Sequence, residues 1–119
     1  MIYCKITVED VWREKRMQQF TEKVIQVIQE IPEGSVMTYG QIAKLAENPR
    51  AARQVARILH TMSRKYNLPW HRVINAQGQI SIKDDEKFHE QLLSLEAEGI
   101  EVDNLGRVDL EKYRVMSGT

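Results

Sequence analysis

The sequence predicts a mostly α-helical domain with short β elements, arranged as a winged helix-turn-helix. Two short helices are expected close together, over about residues 38–47 and 48–64, and the second carries a line of basic residues. After them, a run of alternating residues surrounds Gly78, as in a β-hairpin. A pair of helices joined by a tight turn and followed by a hairpin is typical of this fold class.

Length and composition favour one globular domain spanning residues 1–119. The chain is 42% hydrophobic and 29% charged, and no stretch approaches the roughly 20 apolar residues that cross a bilayer. The lone Cys4 excludes an internal disulfide and a multi-cysteine metal site. We therefore expect no metal ligands, no membrane association and a cytoplasmic protein.

The first third of the chain predicts one helix, preceded by a segment that fits more than one structure. Ile2, Tyr3, Ile6 and Val8 fit either a short strand or a loose arm. Thr21 is a suitable N-cap, and the apolar residues from Val24 to Ile31 then recur at helical spacing. The sequence Pro32-Glu33-Gly34 predicts the end of this helix and a turn.

The helix pair has clear inner and outer faces. The first helix begins at Thr38 or Tyr39 and turns Ile42, Ala43 and Ala46 inward. The second is expected to be capped by Asn48, with Pro49 in its first turn. Its inner face comprises Val55, Ile58, Leu59 and Met62. Its outer face carries a basic stripe of Arg53, Arg57, His60 and Arg64.

Three further elements complete the predicted domain. The hairpin pairs residues 72–75 with 79–82. A helix containing Phe88, Leu92, Leu93 and Leu95 ends at Gly99, and a second hairpin is possible around residues 104–106.

Basic residues concentrate in the middle of the chain, although the formal net charge is zero. No acidic residue occurs between Glu47 and Asp84, whereas acidic residues are frequent from Asp84 onward. The basic residues of the middle segment are Arg50, Arg53, Arg57, Arg64, Lys65, Arg72 and Lys83. One face built for a polyanion explains this asymmetry, and an ordinary solvated surface is the alternative.

Three motifs resemble the DNA-binding domain of the O6-alkylguanine-DNA alkyltransferases. They are IPEGSVMTYGQIA at residues 31–43, AARQV at 51–55 and LPWHRVI at 68–74. Their order and separations match that family, and the resemblance covers roughly residues 18–99. It implies the winged helix-turn-helix of the alkyltransferase C-terminal domain.

The resemblance departs from the family at its reactive residue. The family motif Pro-Cys-His-Arg-Val appears here as Pro69-Trp70-His71-Arg72-Val73. Removal of an alkyl group needs an activated thiolate, which an indole cannot supply, and Cys4 lies outside the similar segment. The chain in this respect resembles the alkyltransferase-like proteins, in which tryptophan or another non-nucleophile replaces the cysteine.

The alkyltransferase-like branch implies a non-enzymatic sensor of DNA damage with no catalytic residue and no cofactor. Its partner would be double-stranded DNA containing O6-alkylguanine, bound through the minor groove with the damaged base flipped out. The lesion would then pass to nucleotide excision repair proteins. We expect a monomer, associated with the nucleoid if the source is bacterial.

The resemblance assigns DNA-binding roles to the helix pair. Arg53 would fill the gap that the flipped base leaves, and Tyr39 would press on the neighbouring phosphate. The alternatives are a phosphate-binding surface arginine and a half-buried tyrosine at a helix start. Other side chains would lie along the minor groove of the DNA, namely Ala52, Gln54, Ala56 and Arg57.

The resemblance also implies a lesion pocket. Trp70 would form its aromatic wall, unless it is an ordinary core tryptophan. Further pocket residues would be Pro69, His71, Val73 and Lys83. Lys83 would contact the flipped guanine with less stacking surface than arginine has, or would remain a solvated lysine of the wing.

Some residues match the catalytic apparatus of the enzymes without a thiol to activate. His71 and Glu96 would persist as hydrogen-bonding partners, Arg72 would brace their loop and Asn75 the following turn. Two other functions stay open. His71 and Glu96 could direct water at the flipped base, or the domain could be a plain winged-helix regulator, although Ala51, Ala52 and Ala56 suit base-edge contacts poorly.

Overall fold

The computed structural model describes residues 8–116, without the side chains of residues 9, 10, 12–14, 16 and 17. The strand considered for residues 2–8 lies outside this range except for Val8, which begins a helix. Mostly helical architecture with short β elements is confirmed. The elements are α1 Val8–Gln29, β1 Met37–Thr38, α2 Tyr39–Leu45, α3 Ala52–Tyr66, a 3₁₀ turn Trp70–Arg72, β2 Val73–Ile74, α4 Asp85–Ala97 and α5 Leu110–Tyr113.

Helix α1 is longer than the sequence predicts, because Thr21 lies inside it and does not cap it. No glycine or proline interrupts residues 8–31, so the backbone continues as a helix on both sides of Thr21. The apolar periodicity marks only the half of α1 that packs against the core, where Val24 and Ile28 are fully buried. The predicted stop is confirmed, since Gly34 adopts a positive φ of 84° after α1 ends.

Helices α2 and α3 form the predicted helix-turn-helix. Thr38 caps α2, because its Oγ1 accepts a hydrogen bond of 3.1 Å from the Gln41 amide. Asn48 does not cap α3, which begins at Ala52. Residues 48–51 instead form their own turn, in which the Ala51 amide donates to the Asn48 carbonyl, so the helix begins only after this turn.

A two-stranded parallel sheet connects the helix-turn-helix to the segment after it. Met37 is in register with Val73, and Thr38 with Ile74. All four residues are buried. This pairing sets the start of α2 beside the 3₁₀ turn Trp70–Arg72, so Tyr39 and Trp70 approach the same region of the surface.

The predicted hairpin of residues 72–82 does not form. Val73 and Ile74 pair with β1, and the Asn75–Gln79 segment is only a tight turn. The second strand predicted for this hairpin, residues 79–82, pairs instead with the segment around Gly106, since the Ile80 amide donates to the Gly106 carbonyl over 2.8 Å. The predicted tail hairpin is confirmed by the antiparallel bridge between Val102 and Val108. The wing is therefore built from two separate segments of the chain.

The core has two parts. The first lies between α1, α2, α3 and the sheet, and includes Ile28, Ile42 and Val55. The second lies under α4 and the wing, and includes Ile74 and Leu95. Helix α4 ends before Gly99 as predicted, but its Leu93 is 62% exposed and Gln91 is buried instead. None of the described helices has the length and apolar character needed to cross a membrane.

Candidate nucleic-acid interface

The basic stripe lies on the exposed side of α3, as predicted. Arg53, Arg57, His60 and Arg64 are all exposed, whereas Val55 and Leu59 on the other side are buried. Gln54 and Ala56 are exposed and Ala52 is half-buried, so small side chains lie beside the arginines. The stripe therefore presents positive charge on a surface with few bulky side chains, which suits contact with the phosphates of a DNA backbone.

A groove of about 970 Å³ runs beside this stripe, and we call it the Trp70 groove. Residues from α3, the 3₁₀ turn and the start of α4 line it. Tyr39 and Trp70 are half-buried, pack against the core and also face the groove. The other lining residues are Ala56, Leu59, His60, Thr61, Ser63, Arg64, Asn67, Leu68, Ile82, Lys83, Asp84, Lys87 and Glu90.

The structure separates the predicted pocket residues into two groups. Trp70 and Lys83 line the groove. Pro69, His71 and Val73 do not, which corrects the expectation that they would do so. Val73 is buried in β2 opposite Met37, and His71 points toward a carboxylate instead.

That carboxylate belongs to Glu98 and not to Glu96, the partner that the sequence suggested for His71. Glu96 is exposed on α4. His71 Nε2 lies 2.6 Å from Glu98 Oε2, and Arg72 Nη2 donates to the same oxygen over 2.7 Å. Glu98 is the C-cap residue of α4, two positions after Glu96, so the two side chains leave opposite sides of the helix end and Glu98 is the one that reaches His71 and Arg72. The sequence signal for this position was Gly99, which marks the end of α4.

The Glu98 site is enclosed and strongly hydrogen-bonded. The exposed fraction is 9% for the Glu98 side chain, 19% for His71 and 17% for Arg72. Burial raises the pKa of Glu98, but hydrogen bonds from Arg72, the Gly34 amide and His71 outweigh it and lower the pKa from 4.5 to about 2. Glu98 is therefore ionised, and its hydrogen bonds connect α4 to the turn after α1, through Gly34, and to the 3₁₀ turn, through His71 and Arg72.

The lowered pKa of Glu98 predicts a loss of stability in acid. The unfolded chain binds a proton at Glu98 near pH 4.5, whereas the folded protein resists until about pH 2. The stabilisation is therefore complete above pH 4.5 and is lost as the pH falls toward 2, by at most about 3 kcal/mol. Urea unfolding of the wild type and Glu98→Gln at several pH values measures this. The stability difference between them should shrink across this window, and a constant difference would contradict the assignment.

Further hydrogen bonds hold the loop that carries Trp70. Arg72 Nη1 donates to the Ile31 carbonyl over 2.9 Å, which ties this loop to the segment after α1. Asn75 Oδ1 accepts from the Gln77 and Gln79 amides within the turn that follows β2. Gln91 Nε2 donates to the carbonyls of His71 and Val73, at 3.1 and 3.0 Å. Sequence patterns missed Gln91, since nothing in them marks a buried polar residue of an amphipathic helix.

The groove combines aromatic surface with positive charge. Trp70 and Tyr39 provide aromatic surface, and Arg64, Lys83 and Lys87 provide positive charge. Within residues 8–116, no three side chains of the metal-binding types come together as a possible site. Lys87, which sequence analysis also missed, places Nζ 5.7 Å from the centroid of the Trp70 ring.

Similarity to known proteins agrees with this geometry. Residues 19–100 match the family described as 6-O-methylguanine DNA methyltransferase, DNA binding domain. The DNA base-flipping protein of Escherichia coli is 43% identical over 109 residues, which are 89% of this chain and 84% of that protein. The Vibrio parahaemolyticus protein of the same name is 47% identical over 98 residues, covering 82% of this chain and 97% of the other.

A solved structure provides the same link in three dimensions. It is Schizosaccharomyces pombe Atl1 in complex with damaged DNA containing O6-carboxymethylguanine. The two chains superpose with a TM-score of 0.74 at 39% identity, over 84% of this chain and 97% of Atl1. The chain therefore belongs to the 6-O-methylguanine DNA methyltransferase DNA-binding family, and within it to the alkyltransferase-like proteins.

Proposed function

We propose that this protein is a non-enzymatic sensor of O6-alkylguanine in duplex DNA. It binds the minor groove with α3, flips the damaged base into the Trp70 groove and leaves the alkyl group in place. The observation that carries the proposal is the position of Trp70 on the wall of a groove beside an exposed basic helix. The complex of Atl1 with DNA containing O6-carboxymethylguanine supports it by similarity.

Each side chain has a distinct part in the proposed mechanism. Arg57 and the rest of the basic stripe bind phosphates, while Arg53 enters the space that the flipped base vacates. Tyr39 presses on the adjoining phosphate, and Ala52, Gln54 and Ala56 let α3 approach the minor groove of the DNA. Trp70 then receives the extruded base against its indole, and Lys83 is close enough to line the same groove.

The chemistry of the groove favours binding over repair. The only cysteine of the sequence is Cys4, outside the segment that matches the family. Hydrolysis by His71 is disfavoured as well, because neither His71 nor its partner Glu98 lines the groove. With the lesion bound and unrepaired, its transfer to nucleotide excision repair proteins by a monomeric sensor is the remaining step of the proposal.

Duplex binding combined with an assay of the alkyl group tests this function. Two labelled duplexes differ at a single guanine, which is either unmodified or O6-methylated. At a fixed salt concentration the protein should bind the lesion duplex at least about tenfold more tightly, since a damaged base is cheaper to flip. The methyl group should be recovered on the DNA after incubation with excess protein. Equal affinities, or methyl transferred to protein or released to water, would overturn the proposal.

A further inference from the structure

Lys87 places a positive charge on the wall that the proposed function assigns to the lesion. Its Nζ lies 5.7 Å from the centroid of the Trp70 indole, within the range of a cation–π contact. Lys87 is exposed in the first turn of α4, and both side chains line the Trp70 groove. A group that reaches the indole therefore also comes close to this ammonium.

The charges around Lys87 leave its ammonium available to a ligand. Arg64 and Lys83 add two cations to the lining, against the carboxylates of Asp84 and Glu90. Asp84 is engaged as the cap of α4, because its Oδ1 accepts from the amides of Glu86 and Lys87. Within residues 8–116, the ion pairs found do not include Lys87. The groove lining therefore carries three cations against two carboxylates.

We propose that Lys87 is a specificity-determining residue that favours O6 substituents carrying a carboxylate over a simple methyl group. This inference rests on the proposed function, since it needs the flipped base at Trp70. A methyl group gives the ammonium nothing to bind, whereas a carboxylate accepts a charge-assisted hydrogen bond. Such a bond is stronger beside the indole than in open water, because part of the competing solvent is excluded.

Binding to three duplexes tests the inference. They differ at one position, which holds guanine, O6-methylguanine or O6-carboxymethylguanine, and fluorescence anisotropy at fixed salt gives each affinity. Lys87→Met removes the charge and keeps the length of the side chain. It should lower the ratio of carboxymethyl to methyl affinity about tenfold, as expected for a lost charge-assisted hydrogen bond. Lys87→Arg should retain most of the ratio.

Lys112→Met is a matched control. Lys112 also lies over an aromatic ring, with Nζ 5.2 Å from the centroid of Tyr113, but it does not line the Trp70 groove. Its replacement changes the net charge equally and should leave the ratio unchanged. An unchanged ratio in Lys87→Met would overturn the inference, and so would an equal loss on all three duplexes, which would mark a phosphate contact. Failure of the wild type to prefer either lesion over guanine would instead refute the proposed function.

Discussion

Arg53→Ala should lower affinity for a duplex containing O6-alkylguanine much more than affinity for the undamaged duplex. Arg53 is exposed on α3 at the start of the basic stripe, and the proposed function places its side chain in the space that an extruded base leaves. Flipping costs a few kcal/mol, and without the inserted guanidinium this cost is no longer offset. We expect a loss of about tenfold to a hundredfold on lesion DNA, measured by anisotropy with both duplexes at one salt concentration.

Arg57→Ala is the control for Arg53, because the same side chain lies one turn further along the same stripe. A phosphate contact should weaken binding to both duplexes by a similar factor and reduce the salt slope by about one. Arg53→Lys tests whether charge alone is sufficient, since lysine lacks the planar guanidinium. If Arg53→Ala behaves as Arg57→Ala does, Arg53 is only a phosphate contact. The side chain that fills the space of the flipped base would then have to be a different one.

Glu98→Gln should be among the most destabilising changes of similar size in the protein. It keeps the shape of the side chain but leaves the largely enclosed Arg72 without its counter-charge. Removal of one partner of a buried ion pair costs about 3–5 kcal/mol. For a domain of this size, we expect the melting temperature to fall by more than about 10 °C. Thermal and urea unfolding at neutral pH measure both quantities.

Glu96→Gln separates the structural assignment from the one that the sequence suggested. Glu96 is exposed two residues before Glu98, so the same chemical change should alter stability by no more than about 0.5 kcal/mol. A large effect at Glu96 together with a small one at Glu98 would show that the carboxylate partner of His71 and Arg72 is misassigned.

Sequence patterns predicted the parts of the fold that depend on local periodicity. The helix-turn-helix, the basic stripe and the end of α4 at Gly99 all follow from spacing and turn residues, and all are present. The start of α1 was wrong because Thr21 can cap a helix or lie within one. The periodic pattern reports only where α1 packs, not where its hydrogen bonds begin.

Long-range contacts were beyond prediction from the pattern. Val73 and Ile74 are predicted in a local hairpin with residues 79–82, but their partner is β1, thirty-six positions earlier in register. The family resemblance suggested Glu96, but the packing of the end of α4 against the 3₁₀ turn brings Glu98 to His71 and Arg72. Lys87 faces Trp70 because α4 packs against the 3₁₀ turn, a contact that neither segment encodes alone.

The fluorescence of Trp70 reports directly on whether the damaged base enters the groove. The sequence has two tryptophans, so Trp12→Phe leaves Trp70 as the only indole. A purine stacked on an indole quenches its emission, and the Trp70 signal therefore reports a base arriving in the groove. At equal fractions of bound protein, we predict strong quenching by the O6-alkylguanine duplex and little by the undamaged duplex. Equal emission in the two complexes would contradict the account, because the damaged base would then not reach Trp70.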